Sequence, residues 1–432
     1  MDKFVILPHQ LFDKKYLNKN SEYYLWEHPH YFEGYNYNKK KLVLHRASMK
    51  YYFDYLKKAK FNVKYIEYNK KLPIINYKLF DPVDKIKLSG TYEIIETPNF
   101  FLSRDDYELF RKTKSEKFFF KTFFEWSKKK LDIIPNVKSK DKENRKRIPP
   151  GTKIPPLPPN KVDDKYIKEA VKYVEKNWPK NYGNCDNFIF PVSHKVAKKW
   201  LDDFIKTKFK DFGPYEDFID KENNYLFHSV LSSSINIGLI NPMEIIKTIS
   251  KYKSKIPINS YEGYVRQLFW REYQRFCYIY IDFSKMNYFG NKKKLDKKWY
   301  TGELGVEPVD DCIKIAFDTA YLHHIERLMV MANFMNISGI DPREGHKWFM
   351  EFAIDSYLWV MEQNVLDMAF CVSGGMTMRK PYVSSSNYIA NMSNYKRGEW
   401  SEKWDELYRK FMKTHKKQLW KFRYSFPGLA KL

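Results

Sequence analysis

The spacing of apolar positions changes once along the chain. In the first third, short apolar runs read as strands: KFVIL at 3–7, YYLWEH at 23–28, NVKYIEY at 62–68 and TYEIIET at 91–97. Between them KKLVLHRASMKYYFDYLKKA, at 40–59, has its apolar residues at helical spacing. Alternating strands and helices predict an open parallel sheet covered by helices. SEKFFFKTFFEWSKKKL at 115–131 predicts one more helix. KSKDKENRKRIPPGTKIPPLPPN then joins dense charge to a run of prolines, which lack an N–H to donate, and predicts a linker over 134–165. From Asp163 onward the pattern is helical, with breaks at NWPKNYGN, DFGPYED, GLINP, SKIPINS, SGIDP and VSGGMTMRKPY. The expectation is an α/β domain with a Rossmann-like parallel sheet at 1–133, the linker, and a larger all-α domain at 166–432.

Composition suits that division. A chain of 432 residues exceeds one ordinary core, and an apolar fraction of 43% can fill two. No stretch approaches the roughly 18 to 20 apolar residues of a membrane span, and MDKFVILPHQLFD is too short in its apolar run for a signal peptide. An intracellular protein without membrane contact is expected. The formal charge is +25, from 77 basic and 52 acidic residues, alongside 18% aromatics. Lys far outnumbers Arg, and Asn, Ile, Tyr and Phe are abundant, so part of that charge reflects a chain-wide bias. The remainder favours a polyanion whose bases can stack, nucleic acid ahead of an anionic membrane. Cys185, Cys277, Cys312 and Cys371 form no CxxC pair, which argues against a zinc ribbon or a disulfide framework.

Candidate chemistry begins with an absence. The first strand runs into PHQLFD, with neither GxGxxG nor GxxxxGK[ST], so an ordinary dinucleotide or P-loop site is not expected. In FHSVLSSSINIGLINP, Ser229, Ser232, Ser233 and Ser234 crowd a helix start, as a phosphate cradle or ordinary capping would require. Arg266, Trp270, Arg271 and Arg275 recur at helical spacing, which fits a stacked ring or a DNA backbone; Glu272 and Arg275 also fit an i,i+3 ion pair. YLHHIERLMV places His323 and His324 inside what reads as a buried helix. Helical neighbours point about 100° apart, so the two cannot readily grip one metal, and a hydrogen-bonded core pair is the plainer alternative. Arg327 in the same stripe needs an acidic partner, and Asp355 is the best placed.

Taken together and in order, these segments resemble the photolyase/cryptochrome superfamily, flavoproteins with an α/β antenna domain joined by a long linker to a helical FAD domain. LSSSINIGLINP, WREY, HHIERLM, GIDPREGHKWFM and DSYLWVMEQN carry the resemblance; ENRK at 143–146 and KPYVSSSNYI at 380–389 are similar to the prokaryotic (6-4) photolyase and photolyase-related branch. The resemblance implies FAD held by Ser229, Leu231, Ser232, Gln267, Arg271 and Asn364, with Arg327 and Asp355 paired beside the isoalloxazine. It implies His324 as the histidine that hydrogen-bonds or protonates a (6-4) photoproduct, His323 as its support, and Tyr382 and Tyr388 at the lesion pocket. Trp270 would meet flipped bases, flanked by Arg266 and Arg275 on the nucleic-acid side, and Trp348 would relay electrons. Glu27 and the 40–50 segment are candidates for a lumazine-type antenna chromophore. The implied function is light-driven repair of UV-damaged DNA by a monomeric photolyase; the alternatives are a cryptochrome-like photoreceptor without repair, or repair of cyclobutane dimers.

Two departures qualify the resemblance. The branch usually holds a four-iron cluster on one cysteine before the histidine pair and three after the NYI segment, whereas no cysteine follows NYIANMSNY here. No iron-sulfur cluster is expected, and Trp400, Trp404, Leu407, Tyr408 and Phe411, at helical spacing, are expected to fill that volume. At the position expected to face flavin N5 stands Met361, whose thioether has no proton to give, leaving Glu362 or water for that task.

Overall fold

The structure, a computed structural model, describes residues 1–114, 118–160 and 163–431. Five parallel strands form one sheet in the order β3-β2-β1-β4-β5. They are β1 (Lys3–Ile6), β2 (Glu22–Trp26), β3 (Asn62–Ile66), β4 (Asn76–Phe80) and β5 (Thr91–Ile95). β1 and β2 are almost wholly buried, because in a parallel sheet helices cover both faces. The apolar-run reading finds four of the five and misses β4, whose NYKLF interleaves Asn and Lys with its apolar residues. Pairing with β1 and β5, rather than local propensity, makes β4 a strand.

Helix α1 (Lys39–Lys58) starts at Asn38, whose side chain accepts the Lys40 N–H. It packs on α2 (Asp164–Asn177). The helix expected at 115–131 is present over Phe120–Lys130; residues 115–117 lie outside the described residues. Among the described residues between Lys130 and Asp164, the only regular element is a 3-10 turn at Asp141–Glu143. This strap is nevertheless tied to the helical half. Arg147 donates to the carbonyls of Ala390, Asn391 and Ser393, and Asn144 reaches Glu216 and Asn259. Gly263 is required there, since a Cβ would lie 2.8 Å from the Asn144 amide nitrogen.

Buried polar contacts join the two halves. Arg275 is fully buried and pairs with Asp81 at 3.0 Å and Glu96 at 2.6 Å. Glu272 accepts the backbone N–H groups of Phe101 and Leu102 at 2.9 and 3.3 Å. Lys41 donates to the Ser356 hydroxyl at 2.7 Å, and Asp84 accepts the Trp359 N–H at 2.9 Å. The last two contacts anchor the segment that carries Asp355 to the sheet domain.

The long central helix α3 (Ile258–Tyr280) is mostly buried. The expected continuous helix through YLHHIERLMV is absent. Helix α4 (Glu307–Thr319) ends at Ala320, which is left-handed at φ 58, and Tyr321, Leu322 and His323 are irregular. A π-helix then runs over Glu326–Ala332. Tertiary bonds hold the break open, with Ile354 N–H donating to the Ala320 carbonyl and the Thr319 hydroxyl donating to the Tyr321 carbonyl. Trp400, Trp404 and Phe411 bury on one side of α5 (Glu399–Thr414), as their spacing predicts, while Leu407 and Tyr408 are half-buried. Among the described residues no helix is long and apolar enough to cross a membrane.

Candidate cofactor and substrate cavity

A cavity of about 360 Å³ opens among α3, the Phe227–Leu231 loop, the break after α4 and the Asp355 segment. Deep in its wall, Arg327 holds Asp355 with both terminal nitrogens, Nη1 to Oδ1 at 2.9 Å and Nη2 to Oδ2 at 3.3 Å, while Nε donates to the Leu322 carbonyl at 2.7 Å. Burial alone would raise the Asp355 pKa; the Arg327 charge and a Ser232 hydrogen bond hold it below the ordinary carboxylate range. Asn236 fixes the same segment through the Asp355 carbonyl.

A second charged group is Arg271. Its Nε donates to Asn236 at 2.9 Å and Nη1 to the Asn99 carbonyl at 2.7 Å, but the buried Nη2 has no protein partner. Phe100 and Trp359 lie 4.2 and 4.9 Å from its guanidinium carbon. Burial pulls the Arg271 pKa down to about 10, so the side chain stays cationic at neutral pH. Ser229, Leu231 and Ser232 line the cavity on this side, with Ser229 accepting from the Tyr264 hydroxyl at 3.3 Å. Ser233 and Ser234 are buried and do not line it. Ser232, Ser233 and Ser234 open the short helix Ser232–Asn236, while Ser229 precedes it in the loop.

Three imidazoles meet on the opposite wall. His324 is exposed at the cavity surface, yet surrounding protein and then the Arg327 charge push its pKa down to about 4. Its ring is therefore uncharged at neutral pH. His323 is buried and stacks on His228, with centroids 4.7 Å apart and planes 18° apart. Its backbone N–H donates to Glu326 at 2.9 Å, and both of its ring nitrogens lack partners. His228 was not foreseen; an isolated histidine beside a serine run carries no periodic signal.

Trp270, Gln267, Asn364 and Tyr382 also line the cavity. Trp270 stacks on Phe120 at 3.6 Å. Asp141 and Arg145 reach the cavity from the strap, so residues expected only to link domains contribute to the wall.

Several expectations need correction. Arg275 belongs to the seam between the halves rather than to a nucleic-acid face, and the alternative i,i+3 pair with Glu272 does not form, since Glu272 accepts backbone N–H groups instead. Arg266 lines the cavity but is already held by Glu216, Asp141 and Glu262, leaving little charge for a phosphate. Burial pushes the Glu216 pKa up to about 7 against the pull of Arg266. Tyr388 does not line the cavity, although Asp217 and Arg145 bear on its hydroxyl as they do on that of Tyr382. Met361 is buried against a small separate void beside Arg327 and Asn364, and does not reach the main cavity; neither does Glu362. Asn364 borders both spaces, three residues further on. Trp348 is fully buried behind Phe352, its Nε1 donating to the Trp299 carbonyl at 2.8 Å. Glu27 is saturated by Arg46, Tyr65, Tyr173 and the Tyr68 N–H, which leaves it no lone pair for a chromophore.

An α/β sheet packed on a helical half, with a cavity lined by Arg145, Arg266, Arg271 and Arg327, defines a two-part α/β and helical protein whose pocket suits an anionic ligand. Residues 4–85 and 72–190 match the model of the deoxyribodipyrimidine photo-lyase-related protein family, and residues 264–425 match the FAD binding domain of DNA photolyase. The chain belongs to the photolyase/cryptochrome superfamily. It is 36% identical over 260 residues to a (6-4) photolyase of Agrobacterium fabrum, an alignment covering 59% of this chain and 51% of that one. The chain thus spans about half the length of that curated relative. It is also 51% identical over 107 residues to an uncharacterised protein of Acanthamoeba polyphaga mimivirus, covering 24% of this chain and 83% of that one. A bacterial class III photolyase from Agrobacterium tumefaciens shares the fold, with a TM-score of 0.56 at 15% identity over 90% of this chain and 86% of that one.

Proposed function

We propose that the chain is a light-dependent DNA-repair flavoprotein acting on (6-4) photoproducts, with FAD in the cavity and a flipped lesion against its outer wall. The observation that carries this reading is that the clamped Arg327, the half-free Arg271 and His324 all open onto one cavity. The donor set suits FAD: the Arg271 Nη2 and the Ser229 hydroxyl for anionic oxygens, and Arg327 for a reduced, negatively charged ring. Reduced FAD, when bound, supplies an electron on absorbing blue light.

This chain's own residues then bind, orient and handle protons. Trp270 offers an aromatic face to an unstacked base, and a damaged pair costs less to unstack than an intact one. His324, neutral at rest, donates its ring N–H to the lesion as a hydrogen bond; negative charge developing nearby draws its pKa back up, so that the ring takes a proton from solvent, becomes an imidazolium and passes one proton to the lesion, returning to neutral imidazole. Phe352 lies between Trp348 and Arg327, with its ring centroid 4.7 Å from that of Trp348 and 5.4 Å from the Arg327 guanidinium carbon, consistent with an electron path toward the site. We propose a monomer without an iron-sulfur cluster; Trp400, Trp404 and Phe411 pack as apolar groups in the C-terminal helix.

The test offers FAD-loaded, reduced protein three oligonucleotides in light and darkness: one (6-4) photoproduct, one cyclobutane dimer, and undamaged sequence. Light-dependent loss of the (6-4) lesion alone is expected. Bound FAD with no repair of either lesion would favour the photoreceptor reading, and protein that takes up no flavin would defeat both.

A further inference from the structure

The C-terminal segment outside the cavity has a one-sided chemistry. From Leu407 to Leu432 the sequence holds eight Lys and Arg and no carboxylate side chain. Within it the helix Lys416–Leu419 and the 3-10 turn Trp420–Ser425 leave Lys417, Lys421 and Arg423 exposed, together with Trp420 at 47% and Tyr424 at 87%. The Arg423 guanidinium carbon lies 5.8 Å from the Trp420 ring and 4.6 Å from the Tyr424 ring. Exposed aromatics of this size need an explanation when they occur together and among cations.

This platform is fixed in place. Lys421 donates to the Gly374 carbonyl at 2.7 Å, and Tyr288 donates its hydroxyl to the Gln418 carbonyl at 2.9 Å. Phe422 packs on Gly375, where a Cβ would lie 3.0 Å from its ring, and Gly374, left-handed at φ 66, admits Tyr288 more closely still. The anchoring loop itself exposes Met376, Arg379 and Lys380, then reaches Tyr382 in the cavity wall. The Tyr288 segment adds exposed Lys292, Lys293 and Lys294. Of the nearby carboxylates, Asp282 already pairs with Lys285 at 3.2 Å, and Asp296 accepts the Lys298 N–H at 2.9 Å.

We propose that this basic and aromatic platform, one loop away from the cavity mouth, docks the nucleic acid that flanks the lesion. Lys413, Lys417 and Arg423 contact phosphates, and Trp420 and Tyr424 pack against sugars or unpaired bases. The inference rests on the repair reading but adds to it a binding surface that carries no sequence information and acts on undamaged strands. Duplex DNA is favoured over a membrane because the aromatics sit beside cations on a rigid, strapped turn, without the long apolar stripe that interfacial helices bury.

The triple variant Lys413→Ala/Lys417→Ala/Arg423→Ala and the single variant Tyr424→Ala test it, with FAD content and thermal midpoint checked for intact folding. Binding to an undamaged duplex oligonucleotide is titrated against salt. The triple variant should lose about 0.9 of salt slope per lost phosphate contact, roughly 2 to 3 in all, and on the order of tenfold in affinity at moderate salt. Repair of a lesion-bearing dinucleotide, too short to reach the platform, should not change. An unchanged slope and affinity in both variants overturns the proposal. So does a triple variant that loses binding to phosphatidylserine vesicles while keeping duplex affinity. Wild-type protein that binds duplex through this surface but repairs nothing would leave the platform standing and defeat the repair reading instead.

Discussion

Arg327 and Asp355 form a two-pronged pair, 2.9 and 3.3 Å long, across a break between two helices. Asp355→Ala leaves the guanidinium beside the cavity without its counter-charge, which should cost about 3–5 kcal/mol of stability. Asp355→Leu combined with Arg327→Met should cost less than Asp355→Ala alone, because no buried charge is then left unpaired. Urea unfolding and flavin content measure the two effects, and both variants should lose FAD. Because the folded-state pKa of Asp355 is depressed, the pair's contribution is present above the unfolded carboxylate range and is lost as pH falls through the lowered value.

Arg275 separates structure from recognition. It joins the two halves through Asp81 and Glu96 and is fully buried. Arg275→Ala should destabilise the seam, but by less than the about 3–5 kcal/mol of a fully stranded buried charge, because Arg104 still pairs with Asp81 at 2.8 Å. The surviving folded protein should keep the wild-type salt dependence of DNA binding. A reduced slope would mean that Arg275 reaches phosphate after all.

Acid should unfold the protein through its histidines. Burial pushes His346 and His194 down to about 4 and His9 down to about 3, so the folded state keeps them neutral while the unfolded chain protonates near 6.5. The unfolded state then binds more protons as pH falls from about 6.5 toward 4, and stability falls with it. His346 does not line the cavity, and its Nε2 has no partner. His346→Gln, which cannot titrate, should make the decline in thermal midpoint between pH 6.5 and 4 shallower. An identical slope would show that His346 is not neutral by burial.

The class of fold was legible because buried parallel strands are apolar on both faces and amphipathic helices repeat every three to four residues. The Arg327–Asp355 pair was legible for a different reason: a cation in an apolar stripe demands a counter-charge, and few acids stood where one could come from. Local pattern failed where distant contacts decide. β4 is a strand because β1 and β5 flank it, and the helix through His323 breaks because Ile354 bonds the Ala320 carbonyl. Arg275 had the spacing of a DNA-binding face and turned out to hold two domains together. Lys41 on Ser356 and His228 on His323 join residues 315 and 95 positions apart, which no periodicity records.

The central claim, that His324 serves a (6-4) lesion in a flavin cavity it shares with Arg327, is tested most directly by single-turnover illumination. Reduced wild-type protein and His324→Ala are each given an oligonucleotide with one (6-4) photoproduct, with flavin absorbance recorded alongside. Loss of repair by at least the 10²-fold typical of removing a proton-transfer group, with FAD content unchanged, is the predicted result. Equal repair by the two proteins would contradict it.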